Sequence, residues 1–225
     1  MGLSSSMARR AAPKVTTGYV REAMNRAIDG VGPTRSAKES AESRLSEAGG
    51  DVEQAVQDLI GSHVKMAGAQ GFLTNMGGVV TLAVSLPANI AGLGMLQVHL
   101  VAAIAHLRGY DLDDPRVRNA VLTCLLGRDT VLSLVKRRRL PAPPMGLATS
   151  PVHDAALDDT IAGEVTTELL GRMGGRRAAT MVGRRIPMLG GGIGAASDGM
   201  STRAVGRYAA EEFRPRRSGA VRPTE

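Results

Sequence analysis

The chain has 225 residues, 43% hydrophobic but only 2% aromatic, with 28 glycines, no tryptophan and one cysteine. That length can bury a sizeable core, a lone Cys124 excludes an intramolecular disulfide framework, and the core must come from Ala, Val, Leu, Ile and Met with close backbone approach at Gly. The formal charge of +7, which accumulates after residue 107, points to anionic surfaces, either lipid headgroups or nucleic acid.

Residues 1–16 read as a disordered basic arm of Ser, Arg, Ala and Pro without periodicity. No secretory leader is expected, because Arg9 and Arg10 lead into Ala11-Ala12-Pro13-Lys14 and not into an apolar run. A short helix is predicted over 17–29, where Tyr19, Ala23 and Ala27 recur every four residues, and Gly30-Val31-Gly32-Pro33 interrupts it. Residues 34–48 are helical by propensity but lack a strong apolar stripe, so 17–50 is assigned to short N-terminal helices.

A firmer element starts at Asp51, which with Gln54 resembles a capping box. Val52, Val56, Leu59, Ile60, His63 and Ala67 follow at helical spacing, opposite Glu53, Gln54, Gln57 and Asp58. This amphipathic helix runs straight into residues 66–107, which contain no Asp, Glu, Lys or Arg. Pro87-Ala88-Asn89 divides that stretch into two apolar arms of about 20 residues, each long enough to cross a bilayer. Gly68, Gly71, Gly77, Gly78 and the polar Asn75, Asn89, Gln97, His99 and His106 weaken insertion. The reading is a bent helical hairpin with its corner at Pro87, its first arm bent or broken at Asn75–Gly78. Either lipid or neighbouring amphipathic helices must cover it.

Beyond it, Gly109 as a C-cap, Asp114 as an N-cap and Pro115 at the first helical position predict a helix-to-helix connection. One helix is expected over Arg116–Lys136, with Val117, Val121, Cys124, Leu125, Leu132 and Val135 on its apolar face. It ends in Lys136-Arg137-Arg138-Arg139, which complements the helix dipole. Residues 141–157 read as a surface linker. Asp158 or Asp159 is expected to cap a helix through Ile161, Val165, Leu169 and Met173 that stops at Gly174-Gly175. A short basic helix carrying Arg176, Arg177, Arg184 and Arg185 follows, then a Gly-rich turn at 190–194, a last helix over about 198–213, and a disordered tail over 214–225. No period-2 strand pattern occurs. The predicted fold is all-α, a multi-helix domain around the central apolar hairpin with Gly-rich helix contacts.

Signals for chemistry are sparse. His99 and His106 lie seven apart, nearly on one helical face, and with His63 or Asp111 offer a weak metal constellation. No tight His pair at i,i+4, HExxH or cysteine pair supports it. Asp111, Asp113 and Asp114 lack the Gly and distal Glu of a calcium loop and suit turn and cap roles. Gly190-x-Gly192-x-x-Ala195 fits the dinucleotide fingerprint in letters, but no strand precedes it. Cys124 sits in an apolar run and reads as an inert core thiol. The few aromatics do not interleave with the basic clusters, so nucleic acid is not the expected partner. No catalytic residue and no cofactor are assigned.

Three segments carry a resemblance: Thr81-Leu82-Ala83-Val84-Ser85-Leu86-Pro87-Ala88-Asn89, then Ala105 to Arg118 through the run Gly109-Tyr110-Asp111-Leu112-Asp113-Asp114-Pro115, then Pro187 to Gly194 leading to Asp198 and Gly206-Arg207-Tyr208-Ala209. In order and content the stretch from about Asp51 to Phe213 resembles the EcsC family of bacterial proteins. That family takes its name from an operon encoding an ABC-type transporter linked to protein secretion. The resemblance implies a cytoplasmic or membrane-facing helical protein and transfers no catalytic residue. The expectation is therefore a non-enzymatic protein at the cytoplasmic face of the membrane, accessory to transport or secretion. Pro87, Ala88 and Asn89 would meet lipid or a membrane protein such as an ABC-type transporter. Arg137, Arg138, Arg139, Arg184 and Arg185 would face anionic headgroups, and a homo-oligomer is compatible with this. The alternative is a soluble helical enzyme or a small-ligand or metal-binding protein with a pocket near His99 and His106.

Overall fold

Local capping chemistry sets most helix ends in the computed structural model of this chain, which describes residues 21–30, 34–76, 78–182 and 187–215, with side chains at 72–90, 170 and 172–195 left aside. The described residues are all helical, without a strand. Helix α1 covers residues 21–29, α2 Ala37–Glu47, α3 Val52–Met76, α4 Gly78–Leu107 and α5 Pro115–Cys124. Then come α6 Arg128–Lys136, α7 Pro144–Ala148, α8 Ala155–Val182 and α9 Pro187–Glu212.

Helices α3, α4 and α9 form the centre. Val56, Leu59 and Ile60 of α3, Val98 and Leu100 to Ala105 of α4, and Val205, Tyr208 and Ala209 of α9 are buried together. Each large aliphatic side chain in that set stabilises the fold by about 1.5–3 kcal/mol. Closeness is set at Gly206, where a Cβ would lie 2.9 Å from Ile60 Cγ1 and 3.1 Å from Leu100 Cδ2. The missing side chain lets α9 settle on both central helices at once. Val117, Val121 and Leu125 of α5 and Ile161 and Val165 of α8 complete the core. The Tyr110 ring meets Phe213 edge-on at 5.0 Å.

Helices α3 and α4 run antiparallel, as their pairings Glu53–Arg108, His63–His99 and Gln70–Gly92 require. Arg108 is 7% exposed and grips the more exposed Glu53 through both terminal guanidinium nitrogens, with Nη2 2.8 Å from Oε2. Such a fork-to-fork pair fixes register as well as contributing energy. The end of α4 follows the predicted signal. Gly109 adopts φ +82°, its N–H donates to His106 O at 2.9 Å, and Tyr110 N–H donates to Ala105 O at 3.0 Å. Two orphan carbonyls are thereby satisfied in a Schellman motif. Asp114 caps α5 by accepting from Arg116 N at 2.8 Å, with Pro115 in the first turn.

Elsewhere the helix boundaries depart from expectation. In the charge-free stretch α3 ends at Met76 and α4 begins at Gly78, in keeping with the break expected over 75–78, but the corner expected at Pro87 is absent, since Pro87 lies inside α4. An interior glycine costs a helix about 1 kcal/mol and an interior proline about 3 kcal/mol or more, so local propensity does not choose the break and the rest of the long α4 carries the helix through Pro87. The expected helix over 116–136 is two, because Gly127 takes φ +78° before α6. That break shifts the phase, burying Val131 and Leu134 and leaving Leu132 53% exposed. Residues 141–157 are not a surface linker throughout: Pro144, Leu147 and Ala148 of α7 are buried, and α7 packs on α5. Helix α8 starts at Ala155 with Asp154 accepting from Ala156 N at 2.9 Å. Asp158 is instead held by Asn119 at 2.6 Å and His153 at 2.8 Å.

Gly174-Gly175 does not end α8, nor does the 190–194 run interrupt α9, which starts at Pro187. Asp51 does accept from Gln54 N at 3.0 Å, but the Gln54 side chain turns to Asp58. The reciprocal box belongs to Ser36 and Glu39 at the start of α2. The basic arm at 1–16, Arg184 and Arg185, and the tail from residue 216 lie outside the described residues.

Candidate functional site

The antiparallel pairing of α3 and α4 brings His63 and His99 face to face. Their rings stack with centroids 5.3 Å apart and planes 25° apart, and His63 Nε2 lies 3.1 Å from His99 Nδ1. His63 Nδ1 is 2.8 Å from the carbonyl of Leu59, which can only accept, so this nitrogen carries the proton. In neutral rings His63 Nε2 then accepts from His99 Nδ1–H. His99 Nε2 is left to accept from the Ser40 hydroxyl at 3.3 Å. The hydrogen-bond chain Ser40 to His99 to His63 to Leu59 O is complete with both imidazoles uncharged.

Burial enforces that neutrality. It pushes the His63 imidazolium down to about pKa 4, with the Leu59 carbonyl opposing and the neighbouring His99 adding to the depression. Burial lowers His99 as well, against the backbone carbonyls of Arg35 and Ser36. The Arg35 carbonyl stands 3.3 Å from His99 Nε2, which can donate to it when His99 is protonated.

This pair forms part of the wall of an open cavity of about 750 Å³ lined by α1, α2, α3, α4 and the α1–α2 connection. Residues 26–47 contribute Arg26, Arg35, Arg44, Ser40 and Ser43 with one acid, Glu47, and α3 and α4 contribute Leu59, Met66, Met95 and Leu96 together with Ser62, His63 and His99. Arg44 pairs with Glu47 at 2.7 Å, and Arg26 turns outward to Glu22 at 2.9 Å. The exposed Arg35 donates from Nη1 to Ser43 Oγ at 3.2 Å and, behind the hydrogen bonds from Ser36, helps to lower the Glu39 carboxyl, although no carboxylate lies within ion-pair distance of it among the described residues.

His106 does not share this site. Its Nε2 faces Glu42 at 3.4 Å, about two turns farther along α4 from His99. No group of three His, Cys, Asp or Glu side chains among the described residues is arranged to hold a metal. Cys124 is fully buried, with its thiol pushed well above the ordinary range by burial and then by Glu212.

A match to the EcsC protein family covers residues 13–217. The chain belongs to the EcsC protein family. The matched span takes in α1 and α2, so in this EcsC-family chain both walls of the cavity fall inside the family region. Searches of curated proteins and of solved structures return no match.

Of the EcsC-family surface residues singled out in the sequence, Arg137, Arg138 and Arg139 cluster at the end of α6, all exposed. Arg139 pairs with Glu164 of α8. Arg137 caps α6, and Arg138 takes a left-handed φ of +57° that lets Arg139 N–H reach Leu134 O at 2.9 Å. Pro87, Ala88 and Asn89 fall within the backbone of α4, with their side chains outside the described set. Among the described residues no helix is long and apolar enough to cross a membrane. Sequence reasoning missed Arg35, Ser43, Met66 and Met95, whose shared cavity arises from the packing of separate helices.

Proposed function

We propose that this EcsC-family chain is a non-enzymatic protein of the inner membrane face, accessory to transport or secretion, that docks on anionic lipid or on a membrane protein such as an ABC-type transporter. The observation that carries the reading is the exposed run Lys136, Arg137, Arg138 and Arg139 beside the exposed Leu132. Among the described residues only Arg139 of these four has an acidic partner. Each unpaired cation near an anionic surface contributes about 1 kcal/mol, and one exposed leucine adds an apolar contact. Arg184, Arg185 and the charge-free segment around Pro87-Ala88-Asn89 are proposed as further contacts.

Flotation with phosphatidylglycerol and phosphatidylcholine vesicles at low and high salt tests it. Salt-sensitive binding to the anionic vesicles, lost in Arg137→Glu/Arg138→Glu, is the expected result. A monodisperse protein that ignores both vesicle types ends the reading.

A second reading, a small-ligand protein, is favoured by the cavity that His99 lines. Native mass spectrometry of the purified chain tests it through a bound small molecule released on denaturation.

A further inference from the structure

We infer that the cavity between α1, α2, α3 and α4 binds a single-chain amphiphile with an anionic head, a fatty acid or a lysophospholipid, held at Arg35 and lying along Met66 and Met95. This rests on the small-ligand reading of the cavity and adds the class of ligand.

The mixed lining argues for an amphiphile. The arginines reach the cavity from residues 26–47, and the large apolar side chains reach it from α3 and α4, which also bring Ser62, His63 and His99. A purely polar anion would leave Leu59, Met66, Met95 and Leu96 wet, and a neutral hydrocarbon would make no use of the exposed Arg35 guanidinium. Three arginines against one glutamate also disfavour a cation. Arg35 is positioned for a head group, since the Ser43 hydroxyl orients its guanidinium and Arg44 lies on the same wall. A guanidinium presents its donors in a fork that matches carboxylate and phosphate oxygens.

The tail side has suitable properties. Met66 is 47% exposed at the rim, and unbranched methionines repack around chains of differing length and unsaturation. The volume of about 750 Å³ falls within the range of roughly 300–1,000 Å³ usual for small-molecule pockets. The neutral His63–His99 pair supplies no cation. It ties Ser40 of α2 to α4 and so holds the two walls at a fixed distance.

Isothermal titration calorimetry on the delipidated full chain tests the assignment. The probes are oleate and oleoyl lysophosphatidic acid below their micelle concentrations, with monoolein and inorganic phosphate beside them. Both anionic amphiphiles should bind one per chain, at least about tenfold tighter than monoolein or phosphate. Arg35→Gln should weaken them by about tenfold or more with an unchanged circular dichroism spectrum, and Arg35→Lys should restore part of the loss. Met66→Asp should weaken them too.

Monoolein binding as tightly as oleate, or Arg35→Gln without effect, overturns the proposal. Phosphate binding as tightly as the amphiphiles, and dependent on Arg35, also overturns it while leaving the cavity a ligand site. No heat from any of the four probes, together with a ligand-free native mass spectrum, removes the small-ligand reading itself.

Discussion

His63 Nε2 and His99 Nδ1 lie 3.1 Å apart across the α3–α4 contact, and the Leu59 carbonyl at one end places a proton on His63 Nδ1. The pair is a buried polar contact whose every nitrogen has a partner while both rings stay neutral. Protonating His63 would place a second donor against His99 Nδ1–H, in surroundings that already disfavour charge.

Stability should therefore fall on the acid side. In the unfolded chain His63 titrates near 6.5, and in the fold near 4. Between these values the unfolded state binds more protons, so the contribution is complete above about pH 6.5 and is lost as pH falls towards 4. Its size is on the order of 3 kcal/mol. Urea denaturation at a series of pH values should show this decline, and His63→Asn should flatten it. An unchanged slope in the variant would assign the acid sensitivity elsewhere.

How much of this was legible turns on whether a feature is local. Gly109, Asp114 and Pro115 carry their helix ends within a few residues, and all three act as the sequence suggests. Ser36 and Glu39 were equally readable, yet the weak apolar stripe of α2 hid them, since that helix buries only Ala37 and Ala41. Pro87 misled because its local cost is set against a long helix, and Leu132 misled because Gly127 resets the phase. The cavity was not legible. His99 and His106 share a face of α4, but Ser40 meets one and Glu42 the other. The partner that matters, His63, depends on the α3–α4 register, which no short-range spacing encodes.

Cys124 should be silent to thiol reagents in the native state. It is fully buried, and burial holds its thiol protonated, so the nucleophilic thiolate is both inaccessible and scarce. Labelling with a chromogenic disulfide should be slow without denaturant and complete in urea, with a midpoint that coincides with loss of helix. Rapid stoichiometric labelling of the native protein would contradict the packing around α5.

Gly206→Val should destabilise the fold by about 1–3 kcal/mol. The new Cβ would sit 2.9 Å from Ile60 Cγ1 and 3.1 Å from Leu100 Cδ2, so α9 must move off α3 and α4 or those side chains must leave their positions. Chemical denaturation measures the loss. Gly163→Ala on α8, where no atom lies within 4 Å of a new Cβ, is the control and should be neutral or stabilising.

Arg138 offers a test that separates stability from surface binding. It occupies the position just past the end of α6 in a left-handed conformation, φ +57°, where glycine carries no Cβ penalty. Arg138→Gly should therefore stabilise the fold by about 1 kcal/mol. The same change removes one exposed cation from the Lys136–Arg139 run, which under the membrane reading lowers affinity for anionic vesicles severalfold. A higher denaturation midpoint with weaker flotation is the expected pair of results. If Arg138→Gly raises the midpoint and leaves flotation untouched, the cluster is a solvated helix end and the membrane contact lies elsewhere on the chain. If the midpoint falls, the Arg138 side chain makes a stabilising contact that outweighs its backbone cost.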